Sequence, residues 1–452
     1  MAQLLSTLVQ GREKAVSRIG VLQDVLSSLF TRGVAPVGAE DSRSMVELCD
    51  ALLSERGEVS GMRMAQTILH RFSEAPAAGQ LEFFKLLQER FDITADHALR
   101  AAQHYSEVPD AANLSILRNS VEPRRMELLR RLNHVPGATA KLVQMRACLL
   151  DHMRDHPELS RIDVDFQRLF AAWFNRGFLI LQEINWSTPA NVLEKIIAYE
   201  AVHAINSWQA LRDRLLPSDR KCFAFFHPAM LDEPLIFVEV ALTQANPDSI
   251  RSILCEEREQ IAALDANTAV FYSISNCQRG LAGVSFGNFL IKQVATELSG
   301  LLPNLETFRT LSPVPGLMRW ATNPKTKIER EYKPALAIAK ARAEAESVES
   351  LSDEESAELA KLAAHYLVNI KREDTQPQDS VARFHLGNGA SLDQILPEAD
   401  KYLRGRKQSA GVMVSYLYDL DVVETNHEAF ARFRQVIASE AVQKHLVSIA
   451  ER

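Results

Sequence analysis

Between residues 273 and 298 the chain passes from a β-branched, aromatic-flanked run into a helix-period pattern of apolar residues, through Gly280, Gly283 and Gly287. Glycines at a strand-to-helix joint let the backbone approach a ligand closely. The first N–H groups of the helix lack intrahelical partners, and their partial positive charge suits phosphates or an oxyanion. The spacing Gly280-x-x-Gly283-x-x-x-Gly287 matches neither GxGxxG nor GxxxxGKS, so it supports neither a Rossmann site nor a P-loop. A tight joint with close helix packing accounts for the same glycines. Lys292, one turn further on, would suit a phosphate, although helical lysines usually face solvent.

Other residue types with chemical potential are weaker. His152-x-x-x-His156 sets two imidazoles at a spacing that one helix face would share, but it lacks the glutamate of HExxH. Glu200-x-x-His203 is half of a carboxylate-bridged metal motif and lacks its partner copy. Cys49, Cys148, Cys222, Cys255 and Cys277 form no CxxC pair, which argues against a disulfide framework or a zinc ribbon and for a reducing compartment. Cys277 sits at the glycine joint with no histidine near it in sequence, so it is given no nucleophilic role. A formal net charge of −7 argues against a general nucleic-acid binder and leaves room for a local anion site.

These residues must be positioned by something large. At 452 residues the chain is too long for one ordinary core, and two domains are expected. Residues 1–177 read as helical almost throughout, with apolar residues at three and four in stretches such as LEFFKLL (81–87). Breaks at 33–38, 75–79, Pro109 and Pro136-Gly137 divide them into a bundle. Residues 178–452 mix helices and strands. Trp186-Ser-Thr-Pro189 opens a helix with Ser/Thr at the cap and Pro189 in the first turn. Strands are predicted at 222–226, 235–242 and 269–275, with mostly antiparallel pairing, and again at 381–386 and 411–418. Residues 327–372 form a helical excursion, restarted by a capping box at Ser352-Asp-Glu-Glu355. The fold class is α+β. No apolar run reaches the ~20 residues of a membrane span. The acid-poor start could pass for a transit peptide, yet it continues smoothly into an amphipathic helix, and a cytoplasmic protein is expected.

Five blocks, in order, resemble one known family: FFHPAMLDEPLIFVEVALT (225–243), FYSISNCQRGLAGVSFGNFLIK (271–292), LSPVPG (311–316), VARFHLGNGA (381–390) and the segment Tyr416-Leu-Tyr418. The family is malonyl-CoA decarboxylase. The likeness runs from about Trp186 to the C-terminus and, more loosely, through the N-terminal helices. It implies an N-terminal helical oligomerisation domain (1–177). It also implies a C-terminal α/β catalytic domain (178–452) resembling the GNAT acyl-CoA N-acyltransferases, with the helical excursion as an insertion. It further implies a homo-oligomer, a tetramer built as a pair of dimers. The acyl-CoA would lie along Ala282, Gly283, Val284, Ser285, Phe286, Gly287 and Asn288. This chain departs from the family at Ser285, where relatives often carry an acid, so no role for that acid carries over.

The implied reaction takes malonyl-CoA and a proton to acetyl-CoA and CO₂. Losing CO₂ from a malonyl thioester leaves an enolate, which needs donors around the thioester oxygen and an acid to protonate C2. The thioester is itself an electron sink, so no metal, biotin or other cofactor is required in principle. By resemblance Ser312 and His385 form the catalytic pair and also touch substrate, with Tyr418 beside them; His227 is a further block residue. Ser312 precedes a proline, which biases its backbone to an extended form. His385 is expected after an apolar strand, at the rim of a pocket beside Gly387-Asn-Gly389, ready to give a proton near neutral pH. Two other readings of the same sequence are a GNAT-type acyltransferase, which would need an acceptor, and a non-catalytic acyl-CoA-sensing scaffold.

Overall fold

The computed structural model describes residues 41–54, 57–255, 257–284, 290–345 and 349–446. Among the described residues before Phe174 there are eight α-helices. They are α1 (Met45–Ser54), α2 (Glu58–Glu74), α3 (Ala77–Arg90), α4 (Ala95–Glu107), α5 (Ala111–Val121), α6 (Arg124–Leu132), α7 (Ala138–His152) and α8 (Ser160–Trp173). Their starts follow local chemistry. Pro76 and Pro123 stand at the N-caps of α3 and α6, and the Asp110 carboxylate accepts from Asn113 N to cap α5. Phe84, Leu87, Leu129, Leu142 and Phe166 are fully buried between them, each contributing about 1.5–3 kcal/mol relative to exposure. Two arginines lie inside this core, Arg125 on Asp165 at 2.6 Å and Arg146 on Asp163 at 2.7 Å.

Arg279–Val284 belongs to this helical unit, whereas Phe174–Gln278 and the described residues from 290 onward make up the second. Arg146 also donates to the carbonyls of Gly280 (2.7 Å) and Ala282 (2.8 Å). A Cβ on Gly280 would lie 1.9 Å from the Val143 carbonyl oxygen. Gly280 is therefore a packing glycine, pressed onto α7.

Among its described residues the second unit holds an eight-stranded sheet: β1 (Ile180–Ile184), β2 (Arg220–Phe226), β3 (Ile236–Thr243), β4 (Thr268–Asn276), β5 (Thr307–Thr310), β6 (Ser312–Pro313), β7 (Ser391–Leu396) and β8 (Met413–Leu417). Its order is β1-β2-β3-β4-β5-β8-β6, with β7 also on β8. Every pairing is antiparallel except β4 with β5. A parallel pair needs a crossover, and the chain between β4 and β5 carries the helix Leu290–Leu301. The β5 pairing covers only residues 268–271 of β4, and beyond Phe271 the chain leaves β4 to form β6 against β8.

Helices α9 (Ala190–Tyr199) and α10 (Trp208–Leu215) cover one face, packing Ile196 and Leu211 on Cys222, Ala224 and Phe237. They are followed by α11 (Ile250–Leu254), α12 (Leu290–Leu301), α13 (Leu317–Ala321), α14 (Lys333–Glu344), α15 (Asp353–Val368), α16 (Ser380–Gly387), α17 (Leu403–Ser409) and α18 (Val423–Phe433). The expected capping box holds α15, with Ser352 and Glu355 in reciprocal bonds. Among the described residues no helix is long and apolar enough to cross a membrane.

Several sequence expectations need correction. Residues 381–386 are not a strand: Asp379 accepts from the N–H groups of Val381 (2.9 Å) and Ala382 (3.0 Å) and starts α16. Its buried residues, Ala382, His385 and Leu386, keep the three-and-four spacing of a helix face. Pro189 is the N-cap of α9 rather than part of its first turn, and the Thr188 hydroxyl serves the preceding turn by accepting from Asn185 N. Helix α7 ends at His152, so His152 and His156 share no helix face. Glu200 lies past the end of α9, accepting from the N–H groups of Val202 and His203 and from the hydroxyls of Ser273 and Ser275. The short strands β1, β5, β6 and β7 had no counterpart among the strands expected from the sequence.

Candidate active site

Strand β6 is two residues long, and the register Ser312↔Val414 ties it to β8. That pairing holds Ser312 in the extended form expected before Pro313. Helix α16 brings His385 from its last turn down against the sheet, and Tyr418 follows the last residue of β8. Ser312 Oγ lies 3.0 Å from His385 Nε2, and His385 Nδ1 lies 2.9 Å from the Tyr418 hydroxyl. The three residues placed together by sequence motifs are thus joined in one hydrogen-bonded row.

Two neighbours that sequence reasoning passed over complete the row. Ser312 Oγ is 2.9 Å from Thr310 Oγ1, which also accepts from Tyr416 N at 3.1 Å. The Tyr416 ring stacks on the imidazole, with centroids 4.5 Å apart and 23° between the planes. Both were within reach of a period-two argument, since Thr310 stands two before Ser312 and Tyr416 two before Tyr418.

Asp379 joins the segments that carry the pair. Besides capping α16, its carboxylate accepts from Gly316 N at 3.3 Å, at the end of the Ser312 loop. Tyr366, from α15, packs so closely there that a Cβ on Gly316 would meet its hydroxyl at 2.1 Å.

The electrostatics follow from burial. His385 is 2% exposed, not at a rim, because the face of α16 that carries it is the one packed inward. Burial alone pushes the imidazole down to about 3, so the ring is neutral at physiological pH and does not titrate near neutrality as expected. Burial raises the Tyr416 and Tyr418 phenols well above their ordinary value, which keeps both protonated and able to donate.

At the glycine joint, Arg279–Leu281 forms one 3₁₀ turn and Gly283 adopts φ +76°. The N–H groups of Ala282 and Val284 close turns on Arg279 and Leu281. Ser285, Phe286, Gly287 and Asn288 lie outside the described residues. Lys292 pairs with Glu424.

With this geometry in view, residues 177–452 match the family model described as the malonyl-CoA decarboxylase C-terminal domain, and residues 91–174 match that of its N-terminal domain. The chain belongs to the malonyl-CoA decarboxylase family. It is 34% identical over 355 residues to the mitochondrial malonyl-CoA decarboxylase of Anser anser anser, covering 72% of this chain and 70% of that one. Crystal structures of malonyl-CoA decarboxylases from Rhodopseudomonas palustris and Agrobacterium vitis are each 47% identical to it. The first superposes with TM-score 0.83 over 88% of this chain and 98% of its own. The second gives TM-score 0.81 over 89% of this chain and 100% of its own. Of the family blocks, the one holding His227 has a structural task in this chain. The imidazole Nδ1 accepts from Ala229 N at 3.1 Å, closing a turn, and the ring packs on Phe174 with centroids 4.8 Å apart.

Proposed function

We propose that this chain converts malonyl-CoA and a proton to acetyl-CoA and CO₂, with Ser312 and His385 as the catalytic pair and Tyr418 supporting His385. The observation that carries the assignment is the buried row Tyr418–His385–Ser312, in a chain whose family members are named for this reaction. The bond from C2 to the carboxylate breaks, its electron pair enters the thioester as an enolate, and CO₂ departs. Ser312 holds a substrate oxygen, and His385 gives a proton to C2. A neutral imidazole can do this because a thioester enolate is a far stronger base than the imidazolate left behind, and the Tyr418 hydroxyl at Nδ1 steadies that charge. Solvent then restores the proton. A ring with little affinity for a second proton also avoids attracting the leaving carboxylate as a stable ion pair.

Ala282, Gly283, Val284, Ser285, Phe286, Gly287 and Asn288 are assigned to binding the acyl-CoA, with the open left-handed conformation of Gly283 in support. The first 177 residues are assigned to self-association, giving a homotetramer arranged as a pair of dimers; their extensive helical surface is compatible with that role. A monomer by light scattering at micromolar concentration would contradict it. The test of function is direct: the chain mixed with malonyl-CoA alone should release CO₂ and form acetyl-CoA without any acceptor. A requirement for an amine or other acceptor would point to acyl transfer instead.

A further inference from the structure

Four polar side chains line up through the site: Tyr418, His385, Ser312 and Thr310, with consecutive contacts of 2.9, 3.0 and 2.9 Å. Two directions of hydrogen bonding satisfy these contacts. In the first, the Tyr418 hydroxyl donates to Nδ1, the Nε2–H donates to Ser312 Oγ, and the Ser312 hydroxyl donates to Thr310 Oγ1. In the second every bond is reversed, and His385 carries its proton on Nδ1.

The ends of the row decide between them. Tyr418 is 1% exposed and Thr310 is 2% exposed, so a hydroxyl hydrogen without an acceptor is costly at either end. The first direction leaves the aliphatic Thr310 hydrogen without an acceptor in the row, and the second leaves the phenolic hydrogen of Tyr418. The Ser312–Thr310 contact has Ser312 as donor and Thr310 as acceptor, so the first direction keeps all three bonds and the second gives that one up. Thr310 is also built as an acceptor, because its Oγ1 takes the Tyr416 N–H as well.

We propose that Thr310 is a positioning residue: it draws the Ser312 hydroxyl hydrogen away from the imidazole and so fixes His385 as the Nε2–H tautomer. The proton to be delivered is then on the nitrogen that faces Ser312, and the serine hydroxyl turns from Thr310 to a substrate oxygen when one arrives. This rests on the decarboxylase reading of Ser312 and His385. It adds a residue to that reading and states which nitrogen holds the proton.

The test is nitrogen NMR of the full-length, ¹⁵N-histidine-labelled protein without substrate, with the His385 signals assigned by their loss in His385→Asn. The wild-type ring should be protonated at Nε2 and bare at Nδ1. Thr310→Val, nearly isosteric but unable to accept, should free the Ser312 hydroxyl to donate to Nε2 and bring up a measurable population of the Nδ1–H form. Its kcat should fall on the order of 10²-fold, with KM within about three-fold. Thr310→Ser should restore both tautomer and rate. Tyr418→Phe leaves the Ser312–Thr310 bond in place and should keep Nε2–H, which provides a check if Thr310→Val does not fold. A wild-type ring protonated at Nδ1, a Thr310→Val ring still protonated wholly at Nε2, or a Tyr418→Phe ring converted to Nδ1–H would each overturn the proposal. Because the tautomer is read without turnover, a chain that released no CO₂ would defeat the decarboxylase reading and leave this measurement standing.

Discussion

A serine before a proline and a histidine in the last turn of a helix have little chemistry until something aims them at each other. Here the aim comes from β6 pairing with β8 and from α16 lying on the sheet, which bring Oγ and Nε2 to 3.0 Å. Ser312→Ala and His385→Asn should each lower kcat for CO₂ release by about 10² or more, the scale of a lost positioned donor or acid. Circular dichroism should stay native, and wild-type turnover in either variant would remove that residue from the mechanism. At this scale the sequence was legible only in part. Motif resemblance singled out Ser312, His385 and Tyr418, but their residue types alone would not have separated them from a turn serine, a core histidine and a strand tyrosine. Thr310 was missed because a threonine in a short strand looks like an ordinary β-former, and its role depends on a backbone N–H from another strand. The protonation of His385 was misjudged because burial is a tertiary property, and a histidine beside two glycines reads as exposed.

Elements were more legible than residues, and the errors among them have a common cause. The three long strands β2, β3 and β4 were recognisable because central strands buried on both faces read as continuous apolar runs. Helix α16 was mistaken for a strand because its sequence, SVARFHLG, is short and holds a β-branched and an aromatic residue. The overlooked signal was Asp379, an N-cap residue at the head of a three-and-four pattern. Strands β1, β5, β6 and β7 went unseen for the opposite reason: segments of two to six residues and mixed polarity gain their strand form from a neighbour, not from their own residues. Glycines give the sharpest element-scale test. Gly280→Ala would set a methyl 1.9 Å from the Val143 carbonyl oxygen, backbone against backbone. It should lower stability by about 1–3 kcal/mol, as overpacking does. Gly300→Ala, in helix α12 with nothing within 4 Å, should instead raise stability by about 0.5–1 kcal/mol. Urea unfolding midpoints measure both, and an unchanged midpoint for Gly280→Ala would mean that α7 and the glycine joint are not packed as described.

The whole molecule responds to acid through groups it has buried. His385 and His203 are both held down to about 3, His385 by burial alone and His203 mainly by burial and then by the nearby Arg214 and Arg404 charges. In the unfolded chain each returns to an ordinary value near 6.5. Between those limits the unfolded state binds protons that the native state refuses, so stability falls as pH drops from about 6.5 toward 3. Above about 6.5 both states carry neutral imidazoles, and the two residues contribute no pH dependence. Burial acts with the opposite sign on the Asp379 and Asp400 carboxyls, raising them, so the native state there holds a proton more readily than the unfolded chain as pH falls. The histidine contribution must therefore be isolated by difference. His385→Asn removes one such group without adding a charge, and the two neighbouring phenols stay protonated throughout. The midpoint temperature of His385→Asn relative to wild type should be constant above about pH 6.5 and should rise steadily in favour of the variant below it. A difference that stays flat down to pH 4 would mean that His385 accepts a proton in the folded protein at ordinary cost, and the neutral-imidazole route to the enolate would fail with it.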